Sequence, residues 1–299
     1  MKFSILNFTI LTLLTSGALT QQTPKFKITR CRHSDMSAEE LAESLAITQE
    51  FSDEADPPPN RLNRPIARET VNIKLFIHNV YSNKTKAGGY VSTDAINKQV
   101  KALNTGFKNT GFTFALQRIS RTHSAEWALA DMDKNAVEKK IVYKMWKTLR
   151  KGTYADLNLF LRPIPADVLG ACNYPVNVKN RPTAVDRGVC DIHSATVPGS
   201  PGPYGQGKTT VHEVGHWLNL QHPFDGGCAK KYGGDGIRDT PAMKVSYGCK
   251  IGRDTCPDNP GKDAIHNYMS YSDDACLTEF TEGQITMMHK VWKKYRQPY

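Results

Sequence analysis

An α+β architecture is what this sequence predicts, with strands and helices alternating through its middle and a loop-rich, cysteine-bearing part towards its end. Three observations lead there. From Thr70 onward, runs with a period of two alternate with runs of helical period. Between the last two helical runs the chain carries loops, glycines and four of its seven cysteines instead of a regular period. No internal repeat and no coiled-coil heptad interrupts the pattern. The 299 residues, 39% hydrophobic and 23% charged, suffice for a full core and exclude a wholly disordered chain. No apolar run reaches the roughly 20 residues that cross a bilayer, so no membrane span is expected.

Taken in order, residues 1–20 read as a secretory signal: Lys2 gives a positive start, Ile10 to Leu14 lies in an apolar stretch, and Ser16, Ala18 and Thr20 offer small residues for cleavage. The chain is therefore expected to be secreted, where disulfides form. Ser37 to Phe51 reads as a helix, with Ser37 as N-cap and Glu40 completing a capping box, and Pro57, Pro58 and Pro59 end it. The following PPPNRLNRPIARE is Pro-rich, basic and aperiodic, an exposed linker in which Arg61, Arg64 and Arg68 are candidate cleavage points. Charge marks the same boundary. Residues 21–68 hold seven basic and eight acidic groups, net −1, whereas residues 69–299 hold 31 and 21, net +10. We therefore divide the chain into a signal (1–20), a prosegment with its linker (21–68) and the main domain (69–299), on which the acidic segment is suited to dock.

Within the main domain, Thr70 to Val80, Gly111 to Ile119 and Ala155 to Leu161 read as strands, and Gly188 to Ile192 as a short edge strand. Thr93 to Phe107, Lys134 to Leu149, Lys208 to Leu218 and Glu282 to Tyr295 read as helices. Asn83-Lys84-Thr85 is a glycosylation sequon in a polar, turn-like stretch.

The chemistry concentrates in HEVGHWLNLQH, His212 to His222. Four residues apart on a helix, His212 and His216 share a face, so their imidazoles can converge on one Zn²⁺. Glu213 beside them is placed to hold and deprotonate a water at the metal. To bring His222 to the same ion the chain must leave the helix, and Asn219 stands where a left-handed residue would end it. Three neutral imidazoles leave one coordination position open, which marks a catalytic site. Among the other histidines, His78, His123, His193, His266 and His289 have no comparable spacing.

The extended H-E-x-x-H-x-x-G-x-x-H pattern is that of the metzincin metalloproteases, with Asn219 in place of the Gly. Together, HEVGHWLNLQHPF, GDGIRDTP, IHNYMSYSDDAC and EFTEGQ resemble the pappalysin-type metzincins, especially their extracellular microbial and fungal branch, over about residues 70–295. The resemblance implies a metzincin-like fold of two subdomains. The upper is a twisted mixed sheet with its helices, the active-site helix among them, and the lower is rich in loops and disulfides. It implies zinc ligands at His212, His216 and His222, the base at Glu213, a Met-turn at Met269 and a transition-state tyrosine at Tyr271, which would donate to the tetrahedral oxyanion.

Cys228, Cys249, Cys256 and Cys276 allow three pairings on sequence grounds, and the resemblance favours Cys228–Cys256 with Cys249–Cys276. Cys172 and Cys190, flanking a polar loop, are then paired with each other. Cys31 remains, on the N-terminal segment. A thiolate there can occupy the water position on zinc and silence it, as pappalysin-like prosegments do through a short Arg-Cys-Gly motif, here Arg30-Cys31-Arg32. Gly234, Asp235, Gly236 and Asp239 offer oxygens to Ca²⁺, as similar loops do in the family.

The expected function is a secreted zinc endopeptidase made as a zymogen, monomeric, acting on protein or peptide substrates. The alternative is a noncatalytic secreted binding protein on a metzincin scaffold, against which Glu213 and all three histidines are present. Nucleic-acid binding is not expected despite the net charge, because no Lys/Arg run with interleaved aromatics appears.

Overall fold

A computed structural model describes residues 29–31, 38–54, 69–165, 168–229 and 234–299. The signal-like residues 1–20, the Ser37–Glu40 capping box and the cleavage candidates Arg61, Arg64 and Arg68 lie outside what is described. Among the described residues no helix is long and apolar enough to cross a membrane.

Six strands form one mixed sheet in the order β1-β5-β6-β4-β2-β3. They are β1 (Thr29–Cys31), β2 (Val71–Tyr81), β3 (Phe112–His123), β4 (Leu157–Arg162), β5 (Val168–Cys172) and β6 (Cys190–His193). The neighbours β3, β2, β4 and β6 are parallel, β5 runs antiparallel to β6, and β1 lies parallel to β5 at the edge. β4 is buried on both faces, as a central strand of a covered sheet must be.

Its odd residues Leu157, Leu159 and Leu161 join Ile73, Leu75 and Ile77 of β2 on one face. There they meet α2 (Thr93–Gly106), α5 (Lys208–Trp217) and α6 (Glu282–Val291) through Ile96, Leu103, Val211, Val214, Ile285 and Met288. Phe160 of β4 and Val80 of β2 face the other way, against α3 (Ala125–Leu129) and α4 (Ala136–Leu149) through Ala128, Val142, Met145 and Trp146. The period of two thus sorts alternate residues of one strand into two cores. Buried Arg162 fastens the second layer: its guanidinium donates to Asp191 of β6 at 2.7 Å and to the Ala130 carbonyl after α3 at 2.7 Å.

The helices start where their caps are. Ser92 Oγ accepts from Ala95 N–H ahead of α2, and Asn135 Oδ1 accepts from Val137 and Glu138 N–H ahead of α4. Thr281 and Gln284 form a capping box on α6, which widens into a π turn over Trp292–Arg296. The segment expected to be helical from Ser37 forms α1 (Ala38–Glu54).

One expectation is corrected: β6 is an interior strand, not an edge. β5 and β1 cover it, and neither carries a run long enough to announce itself. Beyond α5 the chain turns to loops. The Cys228–Cys256 and Cys249–Cys276 disulfides tie these loops together, with Cα–Cα separations of 5.4 and 5.7 Å. Cys172 and Cys190, directly opposite on β5 and β6, form the third.

Candidate active site

Helix α5 carries His212, Glu213 and His216, all buried. Its first turn is held from outside: Asp274 Oδ2 accepts from the backbone N–H of Gln206 at 2.9 Å and of Lys208 at 3.2 Å. A carboxylate there satisfies orphan amides and suits the positive end of the helix dipole. At the other end Asn219 takes φ 71°, the one non-glycine positive φ among the described residues. Asn219 N–H then bonds His216 O at 2.8 Å and Leu220 N–H bonds Gly215 O at 3.0 Å. This is a Schellman closure, with Asn in the place usually taken by Gly.

The closure turns His222 back towards the helix. His216 Nε2 lies 3.1 Å from both His212 Nε2 and His222 Nε2. Each ring is held by its other nitrogen: His212 Nδ1 on Tyr268 O at 2.7 Å, His216 Nδ1 on Leu220 O at 2.6 Å, and His222 Nδ1 on the Asp225 carboxylate at 3.1 Å. Acceptors at Nδ1 require the proton there, which leaves a lone pair on every Nε2. Three lone pairs at such separations repel one another unless they share a cation. Tetrahedral Zn–N bonds of about 2.0–2.1 Å put nitrogens about 3.3–3.4 Å apart, so this donor set fits the ion.

The floor of the site comes from the Met269 turn. Gly215 is required on α5 because a Cβ there would overlap Met269 Sδ. The roof comes from β5, where a Cβ on Gly170 would lie 2.7 Å from Glu213 Cγ. Both glycines let neighbouring elements approach the helix closely. Tyr271 stands beside the histidines, its ring centre 5.0 Å from that of His222. Burial raises its phenol above the ordinary value and keeps it protonated, a donor.

Cys31 closes the constellation. Its register partner on β5 is Gly170, its sulfur sits 3.5 Å from Glu213 Oε2, and its carbonyl accepts from Tyr271 Oη at 3.2 Å. The Cys31 sulfur and ligand nitrogens of all three histidines lie within 4.8 Å of one another.

Of the other expected sites, Asn83 lies on an exposed turn after β2, where its Oδ1 accepts from Thr85. Asp235 is buried, its Oδ2 lies short of a well-formed hydrogen bond among the described residues, and burial pushes its carboxyl up to about 7. Asp239 instead accepts from Gly283 N–H at the start of α6. Tyr174, Gln221, Asp225 and Asp274 are further residues of the site, without a predicted role in the sequence. Only Asp225, three residues beyond His222, carries a local signal. Tyr174 Oη reaches His216 Nδ1 at 3.1 Å from 42 residues away.

Comparison with known proteins agrees with this geometry. The M43 peptidase family model, described as pregnancy-associated plasma protein-A, matches residues 203–293. An extracellular metalloprotease of Pyricularia oryzae is 41% identical over 262 residues, covering 87% of each chain. Mature mirolysin of Tannerella forsythia, in complex with a cleaved peptide, superposes with a TM-score of 0.62 at 25% identity, over 75% of this chain and 92% of its own. A promirolysin mutant from the same organism covers 90% of this chain and 95% of its own, with a TM-score of 0.65 at 24% identity. The imidazole cluster and the relatives point the same way: the chain belongs to the pappalysin-type M43 metallopeptidases, as an extracellular zinc-dependent endopeptidase of protein and peptide substrates.

Proposed function

We propose that His212, His216 and His222 hold a single catalytic Zn²⁺, that Glu213 is the general base and Tyr271 the oxyanion donor, and that residues 21–68 are a prosegment whose Cys31 closes the site. The observation that carries this reading is the convergence of three Nε2 lone pairs, each fixed by an acceptor at Nδ1.

When bound, zinc polarises the scissile carbonyl and acidifies the attacking water. The Glu213 carboxylate takes the proton from that water and delivers it to the departing amine. The Tyr271 hydroxyl donates to the oxygen on which charge develops. In the zymogen both groups are engaged by Cys31, Glu213 by the sulfur and Tyr271 by the carbonyl oxygen. β1 also takes the exposed edge of β5, with which an extended peptide would otherwise pair. A monomer is the proposed state, since ligands, base and donor from one chain need no second copy. The exposed Asn83 is a usable glycosylation acceptor.

Casein hydrolysis by the matured enzyme is expected to vanish with a zinc chelator and to drop about 10³-fold or more in Glu213→Ala. Undiminished cleavage by that variant refutes the mechanism. Cys31→Ala is expected to make the uncut proform active. A proform as silent as wild type removes direct thiolate ligation from the account.

The loop around Asp235, with Gly234, Gly236 and Asp239, is the proposed Ca²⁺ site, because Asp235 Oδ2 is a buried oxygen with no well-formed hydrogen bond among the described residues. Calcium in excess is expected to raise the thermal midpoint, and Asp235→Asn to abolish that rise. An equal rise in the variant counts against the site.

A further inference from the structure

Helix α1 touches the catalytic domain away from the cleft, and the contact has the form of a designed interface. Among its described side chains Ser44, Ile47, Thr48 and Phe51 are buried, spaced i, i+3, i+4 and i+7 along one stripe. Ile47 and Phe51 belong to the main core cluster, together with Met288, Val291, Trp292 and Tyr295. The two hydroxyls meet the loop that follows α5. Ser44 Oγ donates to Asn219 Oδ1 at 2.8 Å and accepts from Gln221 Nε2 at 2.9 Å. Asn219 Nδ2 donates to Thr48 Oγ1 at 3.1 Å and to Ser44 O at 3.3 Å. Gln221 Oε1 in turn accepts from Tyr174 Oη, which stands beside His216. Around this centre Arg181 pairs with Glu39 and Glu43, and Lys294 pairs with Glu50.

Asn219 therefore does two things. Its backbone makes the left-handed turn that Gly would make more easily, and its side chain, 1% exposed, is consumed by α1. Gly at this position could close the helix but could not bind Ser44 and Thr48.

We propose that Asn219 and Gln221, flanked by Arg181 and Lys294, form a docking surface for α1 that outlives the cutting of the linker, so that the severed prosegment stays bound and its dissociation, not the cut, switches the enzyme on. The proposal rests on the reading of residues 21–68 as a prosegment, and its surface is separate from the Cys31 contact. Loss of α1 leaves two buried amides and an apolar face exposed, whereas cutting an aperiodic linker removes none of the contacts named above. The occupant is defined by chemistry: an acidic amphipathic helix presenting a hydroxyl at i and i+4 beside an apolar pair at i+3 and i+7.

The test uses the full chain carrying Glu213→Ala, so that it cannot cut itself, nicked in the linker by an added Arg-specific protease. Retention of the N-terminal fragment is then read by size exclusion and, with a fluorophore on the fragment, by anisotropy on dilution. The wild-type stripe is expected to stay bound through gel filtration. Ser44→Ala with Thr48→Ala is expected to weaken retention about 10- to 100-fold, since these hydrogen bonds enter buried amides. Alanine favours helix, so the loss is not a failure of α1 to form. Asn219→Gly, which keeps the turn, is expected to weaken it similarly from the other side. Release of the wild-type fragment at once upon nicking overturns the proposal, as does equal retention by the double variant. Cys31→Ala separates the two readings. A fragment that stays bound leaves the dock standing whatever the proform activity says about the thiolate, and a fragment lost through Cys31→Ala alone assigns retention to the cleft and overturns the dock.

Discussion

His78 shows how much a single buried residue can hold. Its Nε2 lies 2.9 Å from Asn158 Oδ1 and its Nδ1 lies 2.8 Å from Ser120 Oγ. Asn158 orients its amide by donating Nδ2 to Lys151 O, so its oxygen faces the ring, Nε2–H donates, and Nδ1 accepts from the serine. The neutral ring is fully satisfied. Burial, assisted by the positive charges of Lys151, Arg118 and Arg150, lowers its pKa from 6.5 to about 4. Between those values the unfolded chain binds a proton that the folded chain refuses. His78 thus contributes its stability above pH 6.5 and loses it as the pH falls towards 4, by about 3 kcal/mol in all. Other groups also bind protons when the chain unfolds in acid, so the measurement is a difference. His78→Gln is expected to melt lower at neutral pH and to close that gap as the pH approaches 4. A gap that does not change with pH contradicts this account.

Among elements, α5 depends most on distant parts of the chain. Asp274 holds its first turn, and Arg296 holds its last. The Arg296 guanidinium lies between the rings of Tyr154 and Trp217, 4.2 and 4.0 Å from their centres, and donates to Trp217 O at 3.0 Å. An anion at the N-terminus and a cation at the C-terminus both oppose the helix dipole favourably. Asp274→Ala is expected to cost about 1–2 kcal/mol in urea unfolding, the range of a lost N-cap, with Asp274→Asn recovering part of it. An Ala variant within 0.3 kcal/mol of wild type in the linear extrapolation contradicts the capping role.

The same helix shows what was legible beforehand. Its period alone puts His212 and His216 on one face, and Asn219 alone announces the turn that returns His222. β2, α2 and α4 were legible for the same reason, since their burial follows a period carried by their own residues, and β4 was legible from the alternation of its own leucines. β1, β5 and α3 were not. They hold three, five and five residues, and they exist because a neighbouring strand or layer supplies their partners. The place of β6 inside the sheet and the contact of Tyr174 with His216 were hidden likewise, because both follow from long-range packing.

For the whole molecule, the question is which forces hold the acidic segment to the basic domain. The net charges of −1 and +10 suggest electrostatics, but two of the three ion pairs have exposed carboxylates: the side chains of Glu39 and Glu50 are 80% and 45% accessible. Such pairs contribute about 0–1 kcal/mol each and are screened over about 10 Å at 0.1 M salt. Burial of Ile47 and Phe51 contributes about 1.5–3 kcal/mol per side chain. The apolar stripe and its two hydroxyls therefore decide the docking, with charge setting orientation and encounter. Ordering the helix offsets part of this gain. A residual of about 2 kcal/mol would place the melting point of the proform about 4–8 °C above that of the catalytic domain freed of residues 21–68. That difference should survive 0.5 M NaCl nearly intact, and excess prosegment added back should restore it by mass action. Calorimetry of the three samples decides between the two forces: a gap that collapses with salt means that charge, not the Ile47 and Phe51 stripe, holds the segment in place.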